Sequence, residues 1–136
     1  MKELFDVHCH MVPGVDDGAS DLEESLAMLK MQHQDGVRKI IITPHYRRRM
    51  FETPAKKVHE QFLKLQEAAK KEYPDMSLYL GCELHSNMDL QDILEKRKYV
   101  TMAGSSYVLL EFSEGDSAQH IRERVYNVLS CGYEPI

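Results

Sequence analysis

The chain has 136 residues, 43% of them hydrophobic, and a formal net charge of −5. That length suits one domain with a real core, and the acidic balance argues against nucleic acid as the main partner. No apolar run approaches a membrane span, Met1-Lys2-Glu3 opens no signal peptide, and the scattered cysteines Cys9, Cys82 and Cys131 are odd in number, so a cytoplasmic protein with free thiols is expected.

Leu4 to Val7 reads as a short apolar strand, and Met11 to Ala19, with Pro13, Gly14 and Gly18, as a loop. Ser20-Asp21-Leu22-Glu23 predicts a capping box, Ser20 capping and Glu23 reaching back. The helix it opens runs to about Gln34, with Leu22, Leu26 and Leu29 on one face and Gly36 as its stop. Ile40-Ile41-Ile42 marks a buried strand within 37–43. A basic loop follows, then a second helix with Pro54 at its first position and Ala55, Val58, Phe62, Leu65 and Ala69 facing the core. Met76 to Leu80 is a third strand, and Asn87 caps a short helix ending near Lys96. Tyr107 to Leu110 is a fourth strand. Asp116 or Ser117 caps a last helix whose core face is Ile121, Val125, Val128 and Leu129. Tyr133 to Ile136 opens one more strand. Strands alternating with helices predict a parallel α/β fold over residues 1–136, with chemistry gathered at the C-terminal strand ends.

The polar residues fall at those ends. His8 and His10 close the first strand, and strand alternation sets them on one face, roughly 6.5 Å apart along the chain. Asp17 lies in the next loop. His45 ends the second strand, Glu83 the third and Glu111 the fourth. Singly, each has a plain alternative: a solvated histidine pair, turn chemistry at Asp17, a loop histidine, a surface acid. Together they suggest a cation site, because imidazole and carboxylate without thiolate suit Mn, Fe, Zn or Mg. Glu83 could bridge two ions, an arrangement used in phosphoester hydrolysis. Arg47-Arg48-Arg49 offers guanidinium forks for phosphate, or is a solvated basic loop. His33, His59 and His120 are expected on helix surfaces, and His85 near the site without ligating.

Two runs, Asp6-Val7-His8-Cys9-His10 and Pro13-Gly14-Val15-Asp16-Asp17-Gly18-Ala19, resemble the opening of the polymerase and histidinol phosphatase (PHP) superfamily. Ile42-Thr43-Pro44-His45, Arg47 to Pro54, Gly81-Cys82-Glu83 and Leu109-Leu110-Glu111-Phe112 are similar to the manganese-dependent protein tyrosine phosphatases of bacterial capsule and exopolysaccharide operons. The resemblance implies a distorted (β/α)7 barrel with three metal ions at its C-terminal rim. His8, His10 and Glu83 would serve the first, Glu83 and Glu111 the second, Asp17 and His45 the third. Manganese is the implied cofactor, with Fe, Zn or Mg possible. Arg47 and Arg48 would bind phosphotyrosine on the tyrosine-rich tail of a bacterial tyrosine kinase. Neither Cys9 nor Cys82 has an arginine six positions on, so neither opens the Cys-x5-Arg loop of thiol phosphatases.

The family's barrel is nearly twice this length. Its later histidine–arginine and Asp-x-His strand ends have no counterpart here, so a single truncated domain is expected, with weak or absent turnover. It should retain one or two ions around His8, His10 and Glu83. A second copy or a complementing chain would then close the barrel. A phosphoesterase of a small phosphorylated metabolite and a non-catalytic binding fragment are the alternatives.

Overall fold

A computed structural model describes residues 3–136; Met1 and Lys2, which bear on the signal-peptide reading, lie outside the described residues. The elements run β1 (Leu4–Asp6), α1 (Leu22–Gln34), β2 (Val37–Ile42), β3 (His45–Tyr46), α2 (Ala55–Glu72), β4 (Ser77–Leu80), β5 (Glu83–His85), α3 (Leu90–Lys96), β6 (Tyr107–Glu111), α4 (Ala118–Ser130) and β7 (Glu134–Pro135). The strands form two sheets, ordered β1-β2-β4 and β3-β5-β6-β7, and neighbouring strands in each are parallel. This is the predicted α/β arrangement.

The second and third predicted strands each break in two. Pro44 has no N–H for a ladder, so β2 yields to β3 there. The backbone stays paired across the break, with Gly81 N–H donating to Ile42 O (2.8 Å) and Glu83 N–H to Pro44 O (3.0 Å). At Gly81 a Cβ would meet Met102 Sδ at 3.0 Å and Ile41 Cγ2 at 3.1 Å, so a side chain there would crowd the bend. The bend carries His45 and Glu83 forward as register partners of β3 and β5.

Two apolar clusters hold these layers. Leu29 of α1 and Val58, Phe62 and Leu65 of α2 cover Ile40, Ile42, Leu78 and Leu80. Leu90 and Leu94 of α3 and Val128 of α4 cover Leu84 and Val108. Burying one such side chain contributes about 1.5–3 kcal/mol. Of the predicted α2 face, Val58, Phe62, Leu65 and Ala69 are buried, and Ala55 at its start is half-buried.

Helix starts depart slightly from the sequence reading. Asp21, not Ser20, caps α1 by accepting from Glu24 N–H (2.9 Å), and the Glu24 carboxylate accepts from Ser20 N–H and Oγ–H, both at 2.7 Å. Of the predicted α1 face, Leu29 is buried, Leu26 packs partly on the core and Leu22 is exposed; Ser25 is buried beside Leu29, its Oγ–H donating to Met11 O (2.7 Å). Pro54 sits at the cap of α2 rather than inside its first turn. Asp89, not Asn87, caps α3, its carboxylate accepting from Asp92 N–H (3.2 Å), while Asn87 N–H donates to His85 Nδ1 (3.1 Å). Ser117 caps α4, while Asp116 accepts from Ser113 N–H (2.8 Å).

The expected core face of α4 is mostly open. Val128 is buried, but Ile121 is 38% and Leu129 52% exposed. Among the described residues, α3 and β7 are the elements that pack most closely on this helix. Phe5, Val7 and Tyr79 are likewise exposed around a groove on the sheet face away from α1 and α2.

Candidate metal centre

The chain leaves β1 still extended. Thr43 N–H donates to Cys9 O (2.8 Å), which keeps 8–10 beside the end of β2. Cys9 turns toward the α1–α2 core. His8 and His10 share the other side, their ring centroids 5.5 Å apart.

The following loop folds back on His10. Ala19 N–H donates to His10 O (3.1 Å), and a Cβ on Gly18 would fall 2.1 Å from that same oxygen. Only glycine permits so close a pass. Inside the turn lies Asp16, whose side chain is wholly buried. Its carboxylate accepts from Gly18 N–H (3.0 Å), His45 N–H (2.9 Å) and His10 Nδ1–H (3.1 Å). Asp17, one residue on, is exposed and places Oδ1 3.5 Å from His45 Nε2.

His45 stacks between His10 (4.4 Å) and Phe51 (5.1 Å). Its Nδ1 lies 3.4 Å from both Glu83 Oε2 and Glu111 Oε2. Glu83 Oε2 is also 3.0 Å from His8 Nε2 and 3.1 Å from His10 Nε2. All six candidate ligands named from the sequence thus converge. Three overlapping groups arise: His8, His10 and Glu83; His10, Asp17 and His45; His45, Glu83 and Glu111. Within each, the ligand atoms lie within 4.8 Å of one another.

The electrostatics follow from this crowding. Burial pushes the Glu83 carboxyl up, but hydrogen bonds from His10 and His8 outweigh it and hold the group at about 2. Hydrogen bonds to Asp16 and Glu83 raise His10 to about 10 against the opposing effect of burial. Burial also works against the charged form of Asp16, yet its bonds from His10, His45 and Gly18 keep it below the usual carboxylate range.

Two buried atoms here have no hydrogen-bond partner: His45 Nδ1 and Glu111 Oε2. Such orphans are costly in a dry site, roughly 1–3 kcal/mol each. A cation between them would satisfy both lone pairs, and the nitrogen and carboxylate donors suit a divalent transition metal. The residues fit a metal.

The three arginines separate. Arg47 is partly buried at the rim, with Nη1 3.6 Å from Glu111 Oε1 and Nη2 3.5 Å from Ser113 Oγ. Arg48 and Arg49 are exposed. His85 is buried beside the site with both nitrogens engaged, Nε2 with Ser113 Oγ (3.1 Å) and Nδ1 with Asn87 N–H. His33 pairs with Asp75 (3.0 Å), His59 stacks on Tyr99 (4.2 Å) and His120 meets Ser86 Oγ (3.2 Å), all outside the cluster. Asp16 is the site residue not named among the sequence candidates, where only Asp17 of the acidic pair was considered. Its signal was the doubled acid Asp16-Asp17 ahead of a glycine, of which one carboxylate faces in and one out.

Comparison with known proteins identifies a family for the chain. Residues 4–136 match the family described as capsular polysaccharide synthesis, CpsB/CapC. The tyrosine-protein phosphatase CpsB of Streptococcus pneumoniae is 39% identical over 133 residues, 98% of this chain and 55% of the relative. The tyrosine-protein phosphatase YwqE of Bacillus subtilis is 28% identical over 98% of this chain and 52% of its own length. The chain therefore spans about half the length of the curated relatives it matches. A solved chain superposes with a TM-score of 0.86 and 28% identity, over 97% of this chain and 53% of that one. It comes from the crystal structures of YwqE from Bacillus subtilis and CpsB from Streptococcus pneumoniae, described as unique metal-dependent tyrosine phosphatases. With its matched residues reaching from β1 through β7, this chain belongs to the CpsB/CapC family of capsular polysaccharide synthesis.

Proposed function

We propose that this chain supplies the cation-holding portion of a metal-dependent phosphotyrosine-protein phosphatase of capsule and exopolysaccharide synthesis. The observation that carries the reading is the meeting of one carboxylate oxygen, Glu83 Oε2, with three imidazoles: His8 at 3.0 Å, His10 at 3.1 Å and His45 at 3.4 Å. The relatives named as tyrosine-protein phosphatases support the reaction class.

In this reading His8, His10 and Glu83 hold one ion, Glu83 and Glu111 a second, and Asp17 and His45 a third. Manganese is the proposed ion; iron, zinc and magnesium suit the same donors. When bound, such ions act as Lewis acids on phosphoryl oxygens and lower the pKa of water. Arg47 and Arg48 bind the phosphate, since a guanidinium fork matches its oxygens. Arg47 is already held at the rim by Glu111 and Ser113, whereas Arg48 is free to reach outward. Cys82 is buried in the core, and burial pushes its thiol up to about 12; burial raises Cys9 as well. Neither serves as a thiolate nucleophile.

The proposed substrate is the tyrosine-rich tail of a bacterial tyrosine kinase, met in the cytoplasm. No helix among the described residues is long and apolar enough to cross a membrane. We place the β/α units as the N-terminal part of a PHP-type (β/α)7 barrel. The open faces of α4 and of the sheet around Phe5 support closure by further chain or by a second copy.

The test adds Mn²⁺ to the 136-residue chain and to a version extended to the relatives' length, with a phosphotyrosyl kinase-tail peptide as substrate. Phosphate release by the extended protein that EDTA abolishes is expected, with weak or absent release by the shorter one. Release indifferent to chelator sinks the reading. Faster turnover of small phosphomonoesters than of the peptide transfers it to a metabolite phosphoesterase.

A further inference from the structure

We infer that Asp16 is a positioning residue that fixes the His10 ring with Nε2 toward the cation cluster and couples it to the Asp17 and His45 segments. The inference deepens the proposed metal reading and rests on it for its binding arm.

The geometry leaves little freedom. The Asp16 side chain is fully buried, so water cannot substitute for its partners. Three donors converge on its two oxygens: Gly18 N–H on Oδ1, and His45 N–H and His10 Nδ1–H on Oδ2. Each belongs to a different part of the candidate site. Gly18 closes the turn that carries Asp17, His45 opens β3, and His10 is the ring itself. A ring whose Nδ1 proton is held by a fixed carboxylate has only Nε2 to offer a cation, which would displace the proton that Nε2 shares with Glu83 Oε2 at 3.1 Å. Carboxylate–histidine pairs of this kind set the tautomer and orientation of metal-ligating rings. Gly18 completes the device. A Cβ there would sit 2.5 Å from His10 Cβ as well as 2.1 Å from His10 O, so the turn can press on His10 only without a side chain.

Two variants separate the donors. In Asp16→Asn the remaining oxygen can stay at the Oδ2 position and keep the His10 and His45 bonds, so that only Gly18 N–H faces the NH₂. Asp16→Ala removes every acceptor and is the decisive change.

The experiment has two arms on the 136-residue chain. In the metal-free protein, ¹H–¹⁵N spectra of the histidine rings should show a slowly exchanging His10 Nδ1 proton in the wild type, lost in Asp16→Ala. In the second arm Zn²⁺ alone is titrated by calorimetry, and Asp16→Ala should bind it about 10–100-fold more weakly than wild type. Circular dichroism checks that the variant folds. If it does not, the wild-type spectrum still decides, because a fast-exchanging or absent His10 Nδ1 proton overturns the inference. Unaltered zinc affinity in a folded variant overturns it too. A wild-type chain that binds no zinc sinks the metal reading instead, and the ring-proton comparison then judges the Asp16–His10 tie by itself.

Discussion

His45 and Glu83 are direct partners across the parallel strands β3 and β5, and their side chains meet with Nδ1 3.4 Å from Oε2. Parallel register places paired residues side by side on one face. A ladder contact, the most repetitive feature of the fold, thereby sets the centre of the candidate metal site. Glu83 belongs to two of the three ligand groups, so its loss should be felt at both. Glu83→Gln keeps the volume and removes the charge. We expect Mn²⁺ affinity, measured by calorimetry, to fall by more than the roughly 10–100-fold that loss of an outer partner causes. For the unmutated chain, free Mn²⁺ at about 100 times Kd should add about 2.7 kcal/mol of stability, reversed by EDTA.

Gly18→Ala should be severe for its size. The added methyl would meet His10 backbone, which cannot swing aside. We expect a loss of about 3 kcal/mol in urea unfolding, at the upper end of overpacking effects. Gly115→Ala is the matched control, because nothing lies within 4 Å of its added carbon and its φ is not positive. It should be neutral or stabilise by about 0.4–1 kcal/mol.

The metal-free chain should lose stability toward alkaline pH. His10 is raised from 6.5 to about 10 by hydrogen bonds to Asp16 and Glu83. A raised folded pKa favours the folded state fully below about pH 6.5, and the gain is lost as pH rises through about 10. Glu83, lowered from 4.5 to about 2 by its histidines, acts oppositely: its contribution is present above about 4.5 and lost as pH falls through about 2. Urea midpoints followed with pH in the presence of EDTA should therefore decline above pH 6.5, and His10→Gln should flatten that limb.

Arg47 and Arg48 should behave differently although adjacent. Arg47 touches Glu111 and Ser113. Arg47→Ala should weaken Mn²⁺ binding by freeing Glu111, as well as raise KM for a phosphotyrosyl peptide in the extended protein. Arg48 is exposed. Arg48→Ala should leave stability within about 0.5 kcal/mol and Mn²⁺ affinity unchanged, and act on KM alone. Equal effects of the two on metal affinity would contradict this division.

Much of the site was legible in the chain because its ligands follow closely on apolar strand runs, although His45 and Glu83 open the short strands β3 and β5 rather than end β2 and β4. Apolar runs such as Ile40-Ile41-Ile42 and Val108-Leu109-Leu110 announce parallel strands, and the polar residue that follows each run is carried to a common rim. The caps were legible only to within a residue or two. Ser20 and Asp21 are both good caps; Ser20 spends its hydroxyl on the Glu24 carboxylate, and Asp21 accepts from Glu24 N–H.

Residue type and order by themselves determined that His8, His10, His45, Glu83 and Glu111 would share one edge of an α/β sheet, since strand periodicity and parallel connection leave no other place for them. Tertiary structure alone decided that Asp16 faces inward while Asp17 faces out, that Arg47 is held while Arg48 is free, and that Ile121 and Leu129 lie open. Neighbouring residues of one type carry the same local preferences. What separates them is which distant backbone donor or packing surface arrives beside each, and that is settled only when the strands are brought together.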